Sequence, residues 1–432
     1  MMLHSTNGQS SKVSLSQGIT NGIAPDGGLY MPDELPRLPK AFFNNIAEMS
    51  LHDIAFVVMN MLFGDILSST VLKRIVSNAL NFDIPLRQLA PNKYVLELFH
   101  GPTKSFKDVG ARFMAYLMDA FDAGKRVKHD ILLATSGDSG GAVANAFAKS
   151  PNTRVCVVFP GGELSREQLS QFLGIRNVLA IEVEGSFDDC QHLVKEALRT
   201  GSGSHNTVLT SGNSINLARE LPSLIYFFHT YARIVERHGV DCRSIISIPC
   251  GNLGSFCAAL MAKEMGLPVE KFFAANNAND VFVEYLKTGG FRPQRALLTL
   301  ARAMDVGNPS NIARIIDLYK GDTAKLRGRV DGYSYNDEEI AQTMRDTYDR
   351  YGYIVDPQSA TALRAIDRHL PEGYVGVALA SADPCKSDEA LRTVFGNKIP
   401  QIHAVELPHR HPANLVKIPP NLSALNRALN RQ

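Results

Sequence analysis

Residues 131–147 read ILLATSGDSGGAVANAF: a short apolar run of strand type (131–135), a glycine-rich loop (136–141), then a helix-forming segment. Strands that pass through glycine directly into a helix are the building unit of parallel α/β sheets. The pattern returns at 244–265, SIISIPCGNLGSFCAALMAKEM, with its loop at 250–255. Such a loop points backbone N–H groups at an anion, and the dipole of the following helix adds to the attraction. Neither loop is a Walker A, because no G-K-[ST] follows, and neither has the full G-x-G-x-x-G spacing, so nucleotide binding is poorly supported. One glycine loop reads equally well as a tight strand-to-helix turn. Two in one chain point to a ligand, since ligands collect at strand carboxyl ends in such sheets.

Further strand-type runs extend the α/β pattern: YVLELF (94–99), VCVVFP (155–160), VLAIEVEG (178–185) and VGVALAS (375–381). Near-continuous apolar strands alternating with helices such as ARFMAYLMDAF (111–121) indicate parallel sheets buried on both faces. Residues 13–35 are rich in turns, residues 50–88 read as helices, and the Pro- and Asn-rich stretch from about 405 reads as a surface wrap.

A chain of 432 residues is too long for one ordinary core and implies two or three lobes. A net charge of +2 argues against a nucleic-acid or membrane footprint. The start, MMLHSTNGQSSKVS, has no apolar h-region, so a cytoplasmic location is expected. Six scattered cysteines without a C-x-x-C pair suggest reduced thiols and no zinc site. His409 and His411, in a Pro-flanked segment, read as solvated.

The chemistry concentrates in ELFHGPTKSFKDVGARF, residues 97–113. Lys107 follows a Gly-Pro turn and sits beside Phe106 among Ser, Thr and aromatic neighbours. A lysine in a partly apolar site has a lowered pKa, and its neutral amine can form a Schiff base with a carbonyl. The competing reading is a solvated Lys107–Asp108 pair that opens a helix. Ser381, at the end of the last apolar run, is a hydroxyl placed to hydrogen-bond a ring nitrogen, or a strand cap; Lys386 could hold a phosphate. Asn213, Ser214 and Asn216 read equally well as ligand contacts or a helix N-terminus. Residues 137–141 spell GDSGG, the nucleophile motif of trypsin-like proteases, which would make Ser139 a nucleophile. The motif leads into a helix and lacks an upstream Ala-His-Cys setting, so its context disagrees.

Taken together, the motifs resemble the threonine synthase family, pyridoxal-phosphate enzymes of fold type II related to the tryptophan synthase β subunit. GIAPDGGLYMP (22–32) resembles the family's N-terminal signature, FHGPTKSFKDVGARF (99–113) its cofactor-lysine segment, and PCGNLGS (249–255) its phosphate loop. ATSGDSGGAVANAF (134–147), VEGSFDDCQ (183–191), NSIN (213–216), NANDVFVEYLKTG (277–289), MDVGNPSN (304–311) and SADPCK (381–386) have counterparts in the same order. The resemblance implies a two-lobed α/β fold. An N-terminal domain would span 1–90 and a catalytic region 91–405, with a small lobe about 105–200 inserted; 406–432 would be an extension. It implies pyridoxal 5'-phosphate as cofactor, conversion of O-phospho-L-homoserine and water to L-threonine and phosphate, and a monomer or homodimer without nucleic-acid or membrane partners.

Lys107 is then the Schiff-base lysine and the base for the Cα proton. The resemblance places Phe106, Asp138, Gly251, Asn252, Leu253, Gly254, Ser255 and Ser381 on the cofactor. It places Thr103, Lys104, Ser136, Gly137, Ser139, Gly140, Asn213 and Lys386 on the substrate, and no metal. Lys386, then Lys104 and Arg112, are the first cations to consider for the leaving phosphate. The chain departs from the family at Gly161 (usually Lys), Gln358 and Asp383 (both usually His), and Lys104 and Ser105 stand where small or apolar residues are usual. Losing cationic groups weakens recognition of a dianion. A lyase or replacement enzyme on another β- or γ-substituted amino acid is therefore the second reading, and a serine hydrolase using Ser139 the remote third.

Overall fold

The computed structural model describes residues 1–201, 207–396 and 414–430. Two sheets dominate. The larger has six strands in the order Val330–Ser334, Lys271–Asn276, Ser244–Pro249, Val375–Ala380, Lys93–Glu97 and Leu86–Ala90. All pairs are parallel except the last, where the edge strand Leu86–Ala90 runs antiparallel. The smaller has five parallel strands: Leu415–Ile418, Val178–Val183, Thr153–Pro160, His129–Ala134 and Val208–Ser211. This is the fold-type-II arrangement of two α/β lobes, preceded by a helical N-terminal region.

The strand-type runs all fall on strands, because their continuous apolar character matches burial on both faces: all six residues of His129–Ala134 and of Val375–Ala380 are buried. Lys271–Asn276 and Val330–Ser334 escape sequence reading because one has a charged start and the other is polar (VDGYS) and sits at the sheet edge.

One expectation is refined and two are corrected. The turn-rich residues 13–35 also hold regular structure. They hold the helix Leu15–Asn21, started by a capping box between Ser14 and Gln17, and two strands of a small antiparallel sheet with Met2–Ser5. The helical reading of 50–88 is right for Leu51–Phe63 and Ser69–Ala79 but fails beyond, where Leu86–Ala90 pairs with Lys93–Glu97. From residue 414 on, the tail is part of the lobe and not a surface wrap: Leu415–Ile418 joins the smaller sheet beside Val178–Val183. Helix Leu422–Leu429 then buries Leu425 and Leu429 in that lobe's core. His409 and His411 lie outside the described residues.

The helix Leu224–His238 runs through the main core, with Leu224, Ile225, Tyr226, Phe227 and Phe228 all 0% exposed. Burying each such apolar side chain contributes about 1.5–3 kcal/mol. Tyr226 also reaches the site, donating its hydroxyl proton to the Phe106 carbonyl and so fixing the residue before Lys107. Among the described residues, no helix is long and apolar enough to cross a membrane.

Candidate active site

A cavity of about 160 Å³ lies where His129–Ala134, Ser244–Pro249 and Val375–Ala380 end, with Ala134, Pro249 and Ser381 in its wall. At 10–15 Å³ per water this is room for roughly ten waters, the scale of a small organic ligand.

Lys107 is the first residue of the helix Lys107–Phe121, and its side chain is 18% exposed, toward this cavity. Its ammonium is held below the ordinary lysine value, first by burial and then by the positive charges of Lys386 and Arg219, against the opposing pull of Asp138. The helix N-terminus adds partial positive charge at the same place. The Phe106 amide donates to the Ser381 carbonyl at 2.8 Å, tying the lysine segment to the end of Val375–Ala380. Gly110, one turn on, lets the helix approach the chain at Arg219, because a Cβ there would lie 2.5 Å from the Arg219 carbonyl oxygen. Gly110→Ala is expected to destabilise the protein by about 1–3 kcal/mol through overpacking, read by urea denaturation.

The loop after His129–Ala134 is shaped by Thr135, whose hydroxyl accepts from the Gly137 and Gly140 amides, both at 2.9 Å. Gly137 has φ +133°, a conformation open to glycine, and a side chain there would strike Gln168. Asn213 braces the strand end, donating to the Ala134 carbonyl and accepting from its amide. Asp138 opens the helix Asp138–Ala146 and pairs with Lys386 at 2.7 Å, while Lys107 stands 4.0 Å away. Burial alone would raise its carboxyl; Lys386 and Lys107 together hold it below the usual aspartate value.

The second loop forms a cradle. Leu253 takes the left-handed conformation (φ 60°), and the helix Gly254–Glu264 starts with no side-chain cap, leaving its first N–H groups unclaimed by a capping side chain. Asn252 is braced from 310–311: its Oδ1 accepts from the Ser310 amide, and its carbonyl accepts from Asn311 Nδ2 at 2.9 Å. An uncapped helix end for a phosphate, an enclosed amine and a hydroxyl at Ser381, all in the wall of one cavity, fit pyridoxal phosphate.

The structure brings Phe106, Lys107, Ser136, Asp138, Ser139, Asn213, Ser381 and the loop 251–255 to one cavity wall. Gly137 and Gly140 shape the loop without lining the cavity. Thr103 is 2% exposed and spends its hydroxyl on Asp108 at 2.7 Å, so it is a brace in this conformation. Lys386 directs its ammonium to Asp138, the Thr103 carbonyl (2.8 Å) and Gln171 (3.3 Å), which uses its three donors. Lys104 pairs with Asp383 at 3.4 Å. Arg112 is not at the site: it donates to the Asn78 and Ala79 carbonyls and to Asn81. Among the described residues no histidine lines the cavity to give Ser139 the imidazole a hydrolase would use.

Sequence reading missed Gln191, Lys195, Arg219, Glu220 and Arg302, all in the cavity wall. Arg219 and Glu220 carried a signal, an adjacent charged pair inside a long apolar stretch. Lys195 carried a weaker one. It follows Phe187, Gln191 and Val194 at helical spacing on the face that meets the cavity.

Fold and site define a pyridoxal-phosphate enzyme of fold type II. The family described as "Pyridoxal-phosphate dependent enzyme" matches residues 84–381, and that described as "Threonine synthase N terminus" matches residues 3–80. The chain is 34% identical over 431 residues to the threonine synthase of Serratia marcescens, covering 99% of each chain. It superposes on the crystal structure of threonine synthase from Escherichia coli with a TM-score of 0.91 at 33% identity, covering 99% of each. It superposes on PLP-bound threonine synthase from Brucella melitensis with a TM-score of 0.89 at 30% identity, covering 99% and 98%. The chain belongs to the threonine synthase family, and with it to the pyridoxal-phosphate-dependent carbon–oxygen lyases.

Proposed function

We propose that the chain forms L-threonine and phosphate from O-phospho-L-homoserine and water, with Lys107 as the residue that anchors the cofactor and moves protons. The observation that carries this is the enclosed, easily neutralised amine of Lys107 between two glycine loops, one an uncapped helix end. Pyridoxal phosphate, when bound, supplies a carbon that joins the substrate amine and a conjugated ring that accepts the electron pair left at Cα. Neutral Lys107 Nζ takes the Cα proton, and burial keeps that amine a base at neutral pH. Asp138 and Lys386 form a fixed charge pair beside it. The Ser136–Ser139 loop, ordered by Thr135, orients the substrate carboxylate. The hydroxyl of Ser381 would hydrogen-bond the ring nitrogen of the bound cofactor without transferring a full proton to it.

Lys195 is the cation best placed for the leaving phosphate. Lys386 and Lys104 are engaged, whereas Lys195 lines the cavity and, among the described residues, makes no hydrogen bond or ion pair. Arg302 stands at the mouth, paired with exposed Glu389 at 3.0 Å. A charge-assisted hydrogen bond of about 1.5–3 kcal/mol sets the expected size of a substitution. Lys195→Met should raise KM for phosphohomoserine about 10- to 100-fold and raise the inhibition constant of inorganic phosphate in parallel. If both stay unchanged, Lys195 is not the phosphate's partner.

The second reading, a lyase or replacement reaction on another β- or γ-substituted amino acid, is favoured by Gln358, which lines the cavity and whose buried Oε1 has no partner, and by the Lys104–Asp383 pair. A visible cofactor band together with phosphate release from phosphohomoserine supports the first reading. A band without phosphate release supports the second.

A further inference from the structure

Glu220 is a buried acid that the reaction outlined above does not use. It is 1% exposed, lines the cavity, and holds Oε2 2.9 Å from where a Cβ on Gly254 would sit. Its other oxygen, Oε1, is enclosed and has no hydrogen-bond partner. Two buried guanidinium groups stand nearby, yet neither forms an ion pair with it. Arg314 donates to the Tyr30, Ser214 and Ile215 carbonyls and to Asn311, and Arg219 donates to the Gly212 carbonyl. An enclosed carboxyl with an unpaired oxygen and no salt bridge is biased by burial toward keeping its proton, and that bias outweighs the pull of the helix end and the two guanidinium groups toward the carboxylate.

We propose that Glu220, held in its protonated form against Gly254, is a cofactor-binding residue that ties retention of the cofactor's phosphate to pH. This rests on reading the cavity as the pyridoxal-phosphate site. As a neutral acid Glu220 adds a donor beneath the phosphate cradle. As a carboxylate it would place a negative charge beside a dianion.

Burial pushes the carboxyl up to about 8, against the opposing effects of Arg314 and Arg219. The groups that face it are Arg219 from its own helix, Arg314 from Ile312–Leu318, and Cys257 from Gly254–Glu264. The Cys257 thiol is held well above its ordinary value, so it stays uncharged over the range considered, and Arg219 stays charged up to about pH 10. A bound dianion raises the acid's proton affinity further. Cofactor retention is therefore full at pH 7 and falls as pH rises through 8, by up to about tenfold per unit.

The test compares wild type with Glu220→Gln, which keeps a donor but cannot ionise. Holoenzyme is dialysed between pH 6.5 and 9.5, and the cofactor remaining is read from its visible band. Binding of pyridoxal, which has no phosphate, is measured alongside. Wild type is expected to lose pyridoxal phosphate above pH 8 at least tenfold more readily than the variant by pH 9.5, with the two proteins alike toward pyridoxal. Parallel pH curves for the two proteins would overturn the proposal, as would an equal difference toward pyridoxal. Should the variant not fold, the 31P resonance of the wild-type holoenzyme decides: a shift with a midpoint above pH 8 supports Glu220, and a resonance unmoved from pH 7 to 10.5 rejects it. The readout is cofactor binding, so a protein that holds the cofactor but releases no phosphate from phosphohomoserine leaves this test intact.

Discussion

Lys107→Ala is expected to lose about 10⁴-fold or more of the phosphate release from O-phospho-L-homoserine and to lose the visible band of the lysine-held cofactor. A positioned base alone contributes about 10²–10⁴-fold, and here the same amine also anchors the cofactor. The fold should persist, because among the described residues the ammonium's one ion pair is the long 4.0 Å approach to Asp138, and the Phe106 ring lies 5.4 Å from Nζ to centroid. Burying an ammonium costs stability, as its lowered pKa reports, so removing it offsets part of the lost packing. Retention of more than about 1% of wild-type phosphate release, assayed with saturating cofactor, would remove Lys107 from the base's role and leave the Cα proton to another group.

What could be read ahead of the structure follows from how local each signal is. The strand–glycine–helix units at 131–147 and 244–265 are contiguous, so period, loop and helix start were all visible in one window, and both loops lie in the cavity wall. Long-range partnerships were not visible. Nothing near Lys386 in sequence says that its ammonium is consumed by Asp138, Thr103 and Gln171, which are more than 200 residues away. Arg112, a candidate cation for the leaving phosphate, shares a motif with Lys107, but five residues on a helix carry it to a different face, where Asn78, Ala79 and Asn81 take its donors. Gln358 and Asp383 were singled out as departures, and the structure gives them different surroundings. Gln358 faces the cavity, while Asp383 pairs with Lys104 and caps the turn Pro384–Ser387. Glu220 and Lys195 show the general limit: a charged residue in an apolar stretch marks a buried site, but only the packing says which loop it faces.

Asp138→Asn should test the charge arrangement around Lys107 with two independent readouts. Asp138 and Lys386 are 10% and 5% exposed and 2.7 Å apart, so neutralising the carboxylate strands a buried ammonium. Breaking a buried pair from one side costs about 3–5 kcal/mol, and the variant is expected to lose that much stability at pH 7 by urea denaturation. The wild-type carboxyl is held below its ordinary value of 3.8, so its contribution is complete above that pH and fades as pH falls below it; the gap between the two proteins should narrow only there. The second readout is kinetic. Asp138 is the group that opposes burial at Lys107, so its loss lowers the lysine's pKa further and keeps the amine neutral to lower pH. The acid limb of kcat is expected to move to lower pH in Asp138→Asn, whatever happens to its height. A limb that moves to higher pH would mean that Asp138, and not the amine of Lys107, sets the protonation state on which turnover depends.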